Sequence, residues 1–154
     1  MPVRKGKFED IDTLQKLFVD TIRQVCTEDY TPEQIKVWVQ SVDNRKRWEE
    51  MLKSQYVLVS EDANIINGFC TLRNGNYIDL LYVHKDYQRM GIAHTLYKSI
   101  ELEAKRQGHG EIISHVSKTA KPFFEKAGFR NIEEQRVVLK GVELINYRMK
   151  KKIG

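Results

Sequence analysis

Between Tyr77 and Ala104 the chain runs YIDLLYV, HKDYQRMGIAH and TLYKSIELEA, which reads as a strand, a tight loop and a long helix. At the junction, Gln88-Arg89-Met90-Gly91-Ile92-Ala93 places small residues where backbone N–H groups must point together as the helix begins. The positive end of a helix dipole with unspent N–H groups attracts phosphate, so anion binding is the chemistry this turn can do. Its other reading is an ordinary connection. About thirty residues on, by the chain's own numbering, Ser117-Lys118-Thr119-Ala120-Lys121-Pro122-Phe123-Phe124-Glu125-Lys126-Ala127-Gly128-Phe129 again follows an apolar strand.

The elements that must hold these segments are legible from spacing. Ile11, Leu14, Leu17, Phe18, Ile22 and Val25 recur at helical intervals from Asp10 onward, after a short possible strand over Pro2 to Lys5. Thr31-Pro32-Glu33-Gln34 opens a second helix to about Gln40, with Thr31 as cap, Pro32 in the first turn and Gln34 reaching back. Asn44 to Lys53, with Trp48, Met51 and Leu52 on one side, predicts a third. Gln55 to Glu61 and Ile65 to Leu72 are strands around a turn near Asp62-Ala63-Asn64, and Asn74-Gly75 is a hairpin signal joining Ile65–Leu72 to Tyr77–Val83. The helix from about Met90 stops at Gly108, a strand covers Glu111–Val116, and the next helix stops at Gly128. Lys140-Gly141 then joins strands over Asn131 to Leu139 and Val142 to Lys150. We expect one α/β (α+β) domain over residues 1–154, with a mixed, mostly antiparallel twisted sheet of about six or seven strands and about four or five helices.

Composition bounds the function. The 154 residues carry 41% hydrophobic side chains, enough for one core, and a net charge of +5 that favours anionic ligands without naming one. Nucleic acid is not indicated: Arg45, Lys46 and Arg47 read as a solvated helix face, and Lys150-Lys151-Lys152 as a solvated end. Cys26 and Cys70 form no metal pattern and read as reduced thiols. No apolar run is long enough for a membrane span, and the basic N-terminus is followed by no apolar segment, so we expect a cytoplasmic protein with no membrane partner.

Together the loop and the downstream helix resemble the GNAT N-acetyltransferase superfamily, in that family's order and spacing. The loop matches Q/R-x-x-G-x-G/A, which cradles the pyrophosphate of acetyl-coenzyme A, and the helix matches A-x-x-F-(Y/F)-E-K-x-G-F, which lies beside the pantetheine arm. The resemblance covers nearly the whole chain. It implies a GNAT fold, acetyl-CoA as co-substrate, and acetyl transfer to a primary amine of a small molecule or an exposed protein amine, by direct attack in a ternary complex. Small members are often dimers, so a homodimer is a further expectation. The alternative is a non-catalytic CoA-binding regulatory domain on the same fold.

Carried over residue by residue, the resemblance gives cofactor contacts from Gln88, Arg89, Met90, Gly91, Ile92, Ala93 and His94, with Ser117, Phe124 and Lys126 beside the pantetheine. It maps the splayed strand whose backbone meets the thioester onto Leu81, Tyr82 and Val83, the same residues that read as a buried central strand. A lysine-like amine is neutral only about once in 2,500 molecules at pH 7, so a base matters. Asp79, His84, His115 and Glu28 or Asp29 are candidates, of which His115 and Asp79 are the catalytic choices. Many family members have a tyrosine acid where this chain has Phe124, which cannot donate a proton, and Ser117 stands for a frequent asparagine. Ser117 could bind pantetheine, protonate the thiolate or cap the helix, and water, Tyr82 or Tyr87 are other donors. The variant with Phe at this site looks like a subgroup of small bacterial GNAT proteins.

Overall fold

The computed structural model describes residues 2–154. Its elements, in chain order, are β1 (Val3–Lys5), α1 (Ile11–Val25), α2 (Pro32–Val39), α3 (Arg45–Ser54), β2 (Tyr56–Asp62), β3 (Ile65–Arg73), β4 (Tyr77–Val83), α4 (Ile92–Arg106), β5 (Glu111–Ser117), α5 (Lys121–Lys126), β6 (Arg130–Leu139) and β7 (Val142–Lys152). The strands form a seven-stranded sheet in the order β1-β2-β3-β4-β5-β7-β6. Among the described residues five α-helices cover the sheet, and the mixed, mostly antiparallel α/β architecture is the one expected.

Local chemistry sets the punctuation. Thr31 Oγ1 accepts from the Gln34 amide at 3.2 Å and Gln34 Oε1 from the Thr31 amide at 2.9 Å, a reciprocal cap on α2. Asn74 and Gly75 both have positive φ, 55° and 77°, the geometry a two-residue hairpin needs. Helix α4 starts two residues later than expected, at Ile92, and α2 is followed by a 3₁₀ turn over Gln40–Asp43.

Two cores result, one on each face. Helices α1, α2 and α3 pack Leu14, Phe18, Ile35 and Trp48 against Val59 and Phe69. On the other face, α4 and α5 pack Leu96, Ile100 and Phe124 against Cys70, Ile78, Ile112 and Met149. Alternation along β3 sends Phe69 to the first core and Cys70 to the second.

In β4 the alternation breaks. Thr71 pairs with Leu80 but Leu72 pairs with Ile78, so Asp79 is an extra, bulged residue. The bulge switches phase: Ile78 lies in the α4 core, whereas Leu80 and Tyr82 pack against the α1 core. An unbroken strand would put all three on one face.

The lysine run is not a solvated end. Lys150, Lys151 and Lys152 belong to β7, paired with Ile113, Ile112 and Glu111. Lys150 also bridges Glu111 at 2.9 Å, and Lys151 bridges Glu101 at 2.7 Å. Among the described residues no helix is long and apolar enough to cross a membrane.

Candidate active site

The parallel partnership of β4 with β5 lasts for two pairs, Tyr77 with Ile113 and Ile78 with Ser114, reinforced by Ser114 Oγ donating to the Ile78 carbonyl at 2.8 Å. Beyond the bulge the strands separate. β5 stays with β7 to its end, matching His115 with Arg148 and Ser117 with Asn146. The gap opens into a cleft of about 740 Å³ lined by Leu81, Tyr82 and Val83 on one side and His115, Val116 and Ser117 on the other.

The cleft runs to the start of α4, whose residues Gly91, Ile92, Ala93 and His94 also line it. No side chain caps this helix. Arg89 and Gly91 both adopt positive φ, 61° and 79°, as the chain turns into the helix. A Cβ at Gly91 would meet nothing within 4 Å, so the space beside this glycine is open. These are the properties of an anion cradle. Among the described residues no cluster of three or more His, Cys, Asp or Glu could hold a metal.

Gln88 lines the cleft beside Arg89, and its side-chain amide has a partner within the protein. Its Nε2 donates to the Val83 carbonyl at 2.6 Å, so the side chain ties the loop back to β4. The same carbonyl accepts from Thr21 Oγ1 at 3.1 Å, which anchors the end of β4 to α1. Met90 is 55% exposed and lies outside the cleft lining, as does the exposed Lys126. Ser117 Oγ accepts from the Ala120 amide at 3.1 Å and so holds the turn into α5. Phe124 is buried, edge-on to Phe129 with centroids 5.0 Å apart, and is among the residues lining the cleft.

Of the acid–base candidates, Asp79 and His115 face the same cleft. Gln55 Nε2 donates to Asp79 Oδ2 at 2.9 Å. His115 stands edge-on to Tyr77 at 5.3 Å, and partial burial together with the Arg148 and Arg73 guanidinium groups lowers its pKa below the usual 6.5. His84 instead caps the short turn after β4, its Nδ1 accepting from the Asp86 amide at 3.0 Å. Asp29 is spent on Thr119 Oγ1 at 2.7 Å, and neither Glu28 nor Asp29 lines the cleft.

A residue with no sequence signal completes the wall. Tyr30 donates to the Ile145 carbonyl at 2.6 Å, accepts from the Lys118 amide at 2.9 Å and sits edge-on to Trp38. Burial pushes its pKa up to about 12. The Tyr82 hydroxyl, faced by the Trp38 side chain, is also pushed up by burial. Cys26 lies just past the end of α1, and neither it nor Cys70 is in a disulfide.

Residues 26–151 match the family model described as an acetyltransferase (GNAT) domain. The chain belongs to the GNAT family. This GNAT chain is 34% identical, over 97% of its length and 95% of the relative's, to the uncharacterized N-acetyltransferase YafP of Escherichia coli K12. A GCN5-related N-acetyltransferase from Rhodopseudomonas palustris superposes with a TM-score of 0.95 at 29% identity, covering 98% of this chain and 94% of that one. The PaiA N-acetyltransferase of Thermoplasma acidophilum, solved with coenzyme A, shares the fold with a TM-score of 0.83 at 20% identity, over 98% of both chains. The GNAT chain is therefore an acyltransferase, with its uncapped α4 and its open β4 edge on one cleft.

Proposed function

We propose that this protein, as a single domain, transfers the acetyl group of acetyl-coenzyme A to the primary amine of a small molecule by direct attack in a ternary complex. The observation that carries the reading is the short β4–β5 seam: it leaves the last residues of β4 open on a cleft that ends at an uncapped helix. Acetyl-coenzyme A supplies an activated acyl group on a good leaving thiol. The amides of Gly91 to His94 hold the pyrophosphate, and the Arg89 guanidinium is the one arginine of that loop lining the cleft.

The backbone of Leu81 to Val83 has no partner strand on the β5 side; the Val83 carbonyl is taken by Gln88 and Thr21, and the rest of the segment pairs with the pantetheine arm and offers an N–H to the acyl oxygen. One aimed donor of that kind is worth about 3 kcal/mol in the transition state. His115, neutral at pH 7 because its pKa is lowered, takes the proton of the incoming amine, and Asp79 orients that amine. Ser117 positions the α5 turn by accepting the Ala120 amide, which leaves its O–H free to donate to the departing thiolate in the cleft it lines. With Phe124 in the core, the thiol leaves as thiolate, which its pKa near 8.5 permits without a strong acid.

The test is a calorimetric titration with acetyl-coenzyme A followed by thiol release with an amine panel. Micromolar binding and amine-dependent release support the reading. Absence of binding would reduce the Gly91 turn to a connection.

A further inference from the structure

Resting on that acetyl-transfer reading, we infer that the acceptor is a small amine carrying one ammonium on an aromatic or branched aliphatic body. The cleft that holds Asp79 is also lined by Tyr30, Trp38, Val137, Leu139 and Leu144. Val137 and Leu139 are two apart on β6 and so share a face, while Val138 between them points away and is 64% exposed. Leu139 lines the cleft and stays 36% exposed, a large apolar side chain that a ligand can cover. The wall is pre-set, because Tyr30 is fixed at both its donor and its acceptor position.

Charge selects the number of ammonium groups. Among the described residues lining the cleft, Asp79 is the single carboxylate. The permanently charged Arg47 and Arg89 line it too. One ammonium finds a partner at Asp79, and a second or third finds no further carboxylate and shares the cleft with two guanidinium groups, so its lost hydration is not repaid by an opposite charge. A polyamine or an aminoglycoside is disfavoured on that ground, and an apolar body gains from leaving water.

The experiment has two stages on the full chain. Acetyl-coenzyme A binding is measured by calorimetry first, so that a protein that fails to bind it removes the acetyl-transfer reading itself. Thiol release is then compared for phenethylamine and isoamylamine against spermidine and kanamycin, with Trp fluorescence reporting amine binding beside Trp38. The expected result is a kcat/KM for the monoamines at least about tenfold higher, and a Leu139→Glu variant that loses most of this preference while keeping its affinity for acetyl-coenzyme A. Preference for spermidine or kanamycin overturns the inference and leaves acetyl transfer standing. So does a protein that binds acetyl-coenzyme A but neither turns over nor is quenched by either monoamine, and so does an unchanged preference in Leu139→Glu.

Discussion

The Leu80 amide donates to Thr71 Oγ1 at 3.1 Å, a side chain doing for β4 what a backbone carbonyl does elsewhere in the sheet. Thr71 is fully buried on β3, and its hydroxyl serves the strand at the point where Asp79 is extruded. The hydroxyl thus supplies the acceptor for the first amide after the bulge that turns Leu80 and Tyr82 toward α1.

Replacing Thr71 by Val keeps the shape and removes that acceptor. A buried amide left unpaired costs about 1–3 kcal/mol, and Thr71→Ser should recover most of the loss. Urea denaturation measures the difference, and turnover should fall further than stability alone requires, because the reacting segment follows the bulge. Equal stability of the Val and Ser variants would show that the hydroxyl does not hold the strand.

At the helix entrance, Gly91→Glu combines a side chain in a backbone region glycine favours, at φ 79°, with a negative charge facing the anion site. Binding of acetyl-coenzyme A should be abolished, whereas stability should drop by only about 1–2 kcal/mol, since a Cβ there meets no neighbour. Arg89→Ala is the milder version. It should weaken binding roughly tenfold with the fold intact, and unaltered affinity would reassign the loop.

His115 predicts a pH profile. Its lowered pKa keeps the ring neutral at pH 7, so kcat/KM should be flat around neutrality and fall on an acid limb that lies below pH 6.5. In His115→Ala the limb should vanish and turnover drop about 100-fold or more with cofactor affinity unmoved. Persistence of the same limb would assign it to another group.

Acid stability should track Glu101. Burial alone would raise its pKa, but Lys151 and the Tyr97 hydroxyl, at 2.7 and 2.6 Å, hold it down to about 2 from 4.5. A carboxylate depressed in the folded state contributes stability above pH 4.5 and loses it as the pH falls toward 2. After allowance for solvent screening, about 2 kcal/mol is at stake. Denaturant midpoints of Glu101→Gln between pH 5 and 2.5 should be lower at pH 5 and flatter across the range.

Helices and turns were readable in the sequence because their causes are local: the Thr31–Gln34 cap, the Asn74-Gly75 turn and the 3.6-residue apolar rhythm of α1 are each written within a few residues. The Gly91 turn was readable for the same reason. The bulge was not, since Asp79 looks like any residue of an alternating strand and the hydroxyl that serves the next amide belongs to β3. Tyr30 was invisible too, its partners Lys118 and Ile145 lying far along the chain. Gln88 carried the right motif letter, and only the folded position of the Val83 carbonyl shows where its amide goes. The lysine run misled because charge density was read without the β5 strand that pairs it.

The two-pair seam between Tyr77–Ile78 and Ile113–Ser114 has a mechanical side. It is the waist of the sheet: β1 to β4 form one leaf, β5 to β7 the other, and direct strand pairing joins them only there. Tyr30, bonded to β7 from the α1–α2 side, is a strap across the open end. Any molecule that fills the gap becomes a brace between the leaves, so occupancy should be felt as stiffness along the whole length of β4 and not only where atoms react.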